Sequence, residues 1–162
     1  MDKQIVLQLY DYGVWANEKL LAQASALSDD QLRRPFTQHA FTVLGSFAHL
    51  VSAEWRWHQA WSGTPMGEPI TLEQVPTIAE VRARWEPLWV ARRAFLETLA
   101  PEQLAQTFAR TIRGQTQSTI LWHALVHVAN HGTQHRSEIA LMLTELGHSP
   151  GDLDMIWYFL GK

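Results

Sequence analysis

The sequence predicts an all-α protein, a four-helix bundle in which one connection crosses over the length of the bundle. Three observations carry that prediction. Four long stretches space their apolar residues three and four apart, no neighbouring segments alternate convincingly as paired strands do, and no repeat of roughly 20 to 50 residues divides the chain. Pro65, Gly67, Pro69 and Pro76 follow the second stretch at a spacing no helix tolerates, and this segment supplies the long connection.

The first stretch runs from about Lys3 to Leu27, with Ile5, Leu9, Tyr12, Trp15, Ala16, Leu20 and Ala24 on one face of an amphipathic helix. Ser28 and Gln31 fit a capping box that opens one further short turn, which Pro35 stops, and Arg34 to Phe41 reads as a loop. The second helix starts near Thr42, is rich in aromatic residues, and runs to Ser62 before Gly63. Thr77 and Glu80 cap a third helix that reaches about Leu99, with Pro101 just beyond its end. Thr107 to Gln117 reads either as a short extended hairpin or as an irregular loop. The fourth helix is the clearest: Ser118 or Thr119 is a plausible cap, periodic apolar residues run from Leu121 to Leu146, and Gly147 followed by Pro150 closes it. A short apolar tail, Leu153 to Leu160, must then dock on the bundle.

With 162 residues, 46% of them apolar, the chain reads as one domain over residues 1–162. A domain of this size buries roughly 70% of its unfolded surface and needs no disulfide or structural metal to be stable. A net charge of −3 without long runs of either sign excludes a basic nucleic-acid footprint. Apolar runs of only a few residues exclude a membrane span, and Asp2 and Lys3 stand where a signal peptide would build its apolar core, so the expected location is the cytoplasm. The absence of cysteine removes thiolate nucleophiles, CxxC redox chemistry, iron–sulfur clusters and sulfur-ligated zinc together. Eight His and eight Trp remain as the unusual features. For most of the tryptophans, core and dimer packing is the most economical role.

The fourth helix carries His123, His127, His131 and His135 at intervals of four, followed by Arg136. Each interval turns the side chain by about 40°, so neighbouring pairs share a face but all four cannot hold one ion. Measured from the apolar stripe of Leu121, Leu125, Val128, Ile139, Leu143 and Leu146, His135 lies about 40° away, His131 about 80°, His127 about 120° and His123 about 160°. His131 and His135 are therefore the pair placed to present two imidazole nitrogens to one divalent ion. Gly132 stands where a zincin would carry its glutamate, which argues against a peptidase of that type. His123 and His127 are left to the surface or rim, with His127 a candidate for the edge of the site.

A third ligand must come from another helix, and the second offers His49, Glu54 and His58. Leu44, Phe47, Val51 and Trp55 mark a face on which Glu54 and His58 lie, while His49 falls on the more polar side with Arg56. Periodicity alone thus favours Glu54 or His58. A helix in a bundle touches two neighbours, however, so a residue off one stripe can still face a crevice.

The segment LGSFAHLVSAEWRWHQAWSG from Leu44 to Gly63 and the segment LWHALVHVANHGTQHRSEIALMLTELGHSPGDLDMIWYFL from Leu121 to Leu160, with Tyr12, Trp15 and Asn17 in the first helix, resemble the DinB/YfiT family of four-helix-bundle metalloenzymes. The resemblance spans nearly the whole chain. It implies a down-up-up-down bundle, commonly a homodimer, in which one histidine of the second helix and two histidines four apart on the last long helix bind one divalent metal. That pattern maps onto His49, His131 and His135. The family's name refers to DNA-damage induction and places the chain among stress-response proteins; it does not denote the lesion-bypass polymerase, for which this chain is far too short.

Three protein ligands leave positions open to water or substrate, as catalytic rather than structural sites do. Imidazole suits zinc, nickel, copper and iron alike, so the ligands do not name the ion; the expectation is zinc or nickel, with iron or manganese as alternatives. The resemblance implies a hydrolase or an S-transferase that uses a low-molecular-weight thiol such as bacillithiol or mycothiol, and here the thiol must come from a small-molecule substrate because the chain has none. Glu54, Asn130, Gln134 and Asp154 are candidates to orient an imidazole. Arg136 either meets a substrate carboxylate or, more in keeping with its type, forms a surface salt bridge. The alternative from another class is a non-catalytic metal-binding stress-response protein. The plainest alternative is a packing module whose histidines lie on the surface.

Overall fold

The computed structural model describes residues 1–36, 41–112 and 114–161. Part of the loop expected between Arg34 and Phe41, and Arg113 within the Thr107 to Gln117 segment, lie outside the described residues. Four long helices dominate: α1 (Lys3–Ala24), α3 (Val43–Trp61), α4 (Ile78–Thr98) and α6 (Leu121–Glu145). Short helices α2 (Asp29–Arg33), α5 (Pro101–Leu104) and α7 (Met155–Phe159) and the strands β1 (Thr107–Ile112) and β2 (Gln115–Ile120) complete the described elements. No helix among the described residues is long and apolar enough to cross a membrane.

The caps written in the sequence form. Ser28 and Gln31 exchange both bonds of a capping box ahead of α2, and the hydroxyls of Thr42 and Thr77 accept from the Gly45 and Glu80 amides to open α3 and α4. Helix α3 ends on Gly63 at φ 69°, with the Thr64 amide donating to the Gln59 carbonyl at 2.9 Å. Helix α6 ends the same way: Gly147 at φ 82° lets the His148 amide reach the Leu143 carbonyl at 2.8 Å. Only glycine adopts that left-handed geometry at little cost, so both helices stop where the sequence places one.

One difference from the expected elements has a simple cause. The segment after α5 is an antiparallel hairpin with Thr107 opposite Ile120, so Ser118 and Thr119 pair within β2 and do not cap α6, whose N-cap is Ile120. Pro87 sits inside α4 on its exposed face, where the Ala83 carbonyl it frees can meet water.

Helices α1 and α3 each pack against both α4 and α6. Two apolar clusters fix their directions. One gathers the end of α1 (Leu20, Leu21), the start of α3 (Leu44, Phe47), the start of α4 (Val81, Trp85) and the end of α6 (Ile139, Leu143). The other gathers the start of α1 (Val6, Tyr10), the end of α3 (Trp61), the end of α4 (Leu96) and the start of α6 (Leu125, Val128). Helices α1 and α6 therefore run one way and α3 and α4 the other, and the Pro-rich segment after α3 crosses back along the bundle so that α4 can run parallel to it. The tail docks on α1: the Tyr12 hydroxyl donates to the Leu153 carbonyl at 2.9 Å, and Tyr158 packs against Tyr12 and Trp15.

Candidate metal centre

Antiparallel neighbours α3 and α6 bring His49, from the first half of α3, against His131 and His135, one turn apart in the middle of α6. One ring nitrogen from each residue lies within 4.8 Å of the others. The Nε2 atoms of His49 and His131 face each other at 3.2 Å, and the His135 ring lies 4.5 Å from both other rings, centroid to centroid. Two nitrogens bound tetrahedrally at about 2.0 to 2.1 Å from one zinc-sized ion stand about 3.3 Å apart, so the observed pair already has the separation of two ligands. His49 is exposed and the other two are half-buried, which places the group at the rim of the α3/α6 groove and open to solvent.

Electrostatics keep His49 and His131 in their ligating form. Burial, then the neighbouring imidazoles of His135, His49 and His127, lower the His131 pKa from 6.5 to about 4. Burial, with His135 next to it, lowers that of His49 as well. Both rings therefore carry free lone pairs at neutral pH, as metal binding requires.

Glu138 was not singled out by sequence reasoning. Its Oε2 lies 2.7 Å from His135 Nδ1, and its Oε1 accepts from Gln134 Nε2 at 3.4 Å. A carboxylate there fixes the tautomer with Nδ1 protonated and leaves Nε2 free for an ion. The signal was present as an acidic residue three positions after a candidate ligand on one helix. Glu138→Gln is expected to weaken divalent-metal affinity by about 10- to 100-fold without unfolding the chain, as read by competition with a chromophoric chelator.

The model of the DinB family matches residues 1–161. The chain belongs to the DinB family. It is also 26% identical to Protein DinB of Bacillus subtilis (strain 168), over 96% of this chain and 94% of that protein.

Around the three histidines, this DinB-family chain distributes its other expected site residues unevenly. His127 is exposed and stacks at 5.4 Å on Trp57, with its ring 6.1 Å from that of His131, so it stands at the edge of the group. His123 is exposed farther out. His58 turns to α4, edge-on to Phe95 at 5.9 Å. Asp154 is exposed ahead of α7, and no described contact joins it to the histidines. Asn130 lines a small cleft by Tyr12 and Met155.

Two expectations are corrected. Arg136 is not on the surface: only 4% of it is exposed, and its guanidinium lies over the Tyr12 ring and donates to Thr133 Oγ1 at 2.9 Å. Gly132 makes the room, since a Cβ there would come within 2.7 Å of Arg136 Nη1. Among the described residues Glu54 makes no hydrogen bond to an imidazole and lies outside the three-histidine group, although its charge reaches His131. It is 5% exposed, and its Oε2 accepts from Trp85 Nε1 at 2.8 Å and from the Arg92 guanidinium, with Arg136 also within reach of its charge. Glu54 of α3, Arg92 of α4, Arg136 of α6 and Tyr12 of α1 thus form a buried polar centre drawn from all four long helices. Trp61, Trp85 and Trp89 are buried, and the other five tryptophans are half-buried.

Proposed function

We propose that the chain, acting as one domain over residues 1–162, is a metal-dependent enzyme that holds one divalent ion on His49, His131 and His135. The observation that carries the reading is the convergence of three imidazoles from two helices, with one ring nitrogen of each within 4.8 Å of the others. Imidazole donors suit zinc, nickel, copper and iron alike, and zinc or nickel is the ion we propose, with iron or manganese as alternatives. Bound there, such an ion supplies Lewis acidity towards a water or a thiol.

The chain's own groups define the rest. Glu138 Oε2 accepts a hydrogen bond from His135 Nδ1–H and sets the ring's orientation. Trp57 and His127 wall one side, and the exposed rim at His49 gives a small molecule access. Without cysteine, the chain supplies no nucleophilic sulfur, so transfer chemistry here takes its thiol from a low-molecular-weight cosubstrate, and hydrolysis takes water. The same reading takes the protein to be a cytoplasmic homodimer.

The test pairs metal-free protein with one equivalent of each divalent ion in turn, and follows consumption of a chromogenic electrophile by a panel of low-molecular-weight thiols and by water. Turnover that appears with one ion and vanishes with a chelator is expected. A chain that binds the ion tightly and turns over none of the panel would favour a non-catalytic metal-binding protein.

A further inference from the structure

Beyond the histidines, towards the C-terminal end of α3, lies a second group of functional side chains. Arg56 is seven residues after His49, which puts it on the same face of α3, about 10.5 Å farther along and only about 20° round. Arg110 reaches the same place from β1: its guanidinium lies 3.9 Å from the centre of the Trp57 ring, and Nη2 donates to Met66 Sδ at 3.5 Å. Trp57 in turn stacks on His127, beside His131. The strip from His49 and His131 past His127 and Trp57 to the two arginines is continuous.

The two cations are not neutralised. Among the described residues neither Arg56 nor Arg110 has a carboxylate partner, whereas Arg33, Arg82, Arg92 and Arg93 each do. Both are half-buried, and the Nε of each is shut off from solvent with no acceptor. They also stand close enough for Arg56, together with burial, to lower the Arg110 pKa. Like charges held together with unfilled donors are costly unless something fills them. Planar guanidinium forks match carboxylate and phosphate oxygens, and the Trp57 face holds one fork in place.

We propose that Arg56 and Arg110 bind an oxyanion of the substrate, a carboxylate or a phosphate, about two helical turns from the histidines, with the body of the molecule lying along Trp57 and His127. This makes the substrate or its thiol an extended small anion. The assignment rests on the metal-centre reading for the direction in which the reactive end points, and its test is arranged so that the two fail separately.

Chelator-treated protein, in which no probe can ligate an ion, is titrated calorimetrically with succinate, with glycerol phosphate and with succinamide. One or both anions are expected to bind, more weakly as salt is raised, while the uncharged diamide does not. Arg56→Gln and Arg110→Gln are each expected to weaken binding at least about tenfold, with thermal melts confirming folded protein, and Arg56→Lys to recover part of the loss. The preferred anion tells a carboxylate site from a phosphate site. No anion binding in the wild type, or binding in both glutamine variants as tight as in the wild type, overturns the inference while leaving any metal binding intact. Anion binding kept in a chain that takes up no metal would instead overturn the metal-centre reading.

Discussion

His131→Ala is expected to reduce divalent metal from about one ion per chain to near none, while the helical circular dichroism stays that of the wild type. His131 faces His49 Nε2 to Nε2 at 3.2 Å and lies beside His135, so its loss cuts the donor set from three imidazoles to two. The metal-free chain should still fold, without the stability that a bound ion adds. The ring is half-buried at a rim, and its removal opens space to water and not an apolar cavity. Elemental analysis of untagged protein checks this, with His49→Ala and His135→Ala as parallel variants and His123→Ala, exposed on the same helix, as the control. Stoichiometric metal retained by His131→Ala would remove the proposed centre.

The second large effect concerns stability. Glu54→Ala is expected to cost about 3–5 kcal/mol, because it strands the Arg92 guanidinium at 2% exposure and leaves Trp85 Nε1 without an acceptor. Arg136, which also feels the Glu54 charge, loses its favourable neighbour. Glu54→Leu combined with Arg92→Met should recover much of the loss, since replacing both partners of a buried pair by apolar groups leaves no uncompensated charge. Urea titration of the single and double variants provides the cycle. A Glu54→Ala midpoint within error of the wild type would show that the buried carboxylate does not hold the four helices together.

These two sites differ in how much of them could be read from the residues. The order of inward pointing along α6 followed from angles alone, and the structure keeps its division into two pairs: His135 and His131 half-buried, His127 and His123 exposed. His49 did not follow, because the start of α3 is buried on nearly all sides through Leu44, Ser46, Phe47, Leu50 and Val51, and the ligand sits on the remaining exposed edge. Apolar periodicity finds cores and is blind to a rim; there the family resemblance identified the residue. Arg136 illustrates the opposite error. Val128, Gly132, Arg136, Ile139 and Leu143 continue one ridge at core spacing, but a charged residue on that ridge reads as surface until the missing side chain at Gly132 is recognised as its berth. The β1–β2 hairpin was ambiguous because β2 has no buried face, so no alternation marks it.

The proposed ligands His49 and His131 lie 82 residues apart in the chain and meet only where α3 and α6 dock. In an unfolded chain, only the local i, i+4 pair of α6 could meet an ion, and with lower affinity. Metal uptake and folding are on this reading one coupled equilibrium, in which free ion at a thousand times its dissociation constant adds about 4 kcal/mol to the folded state. The supply of metal in the cell would then govern how much folded protein persists as well as how much of it is active.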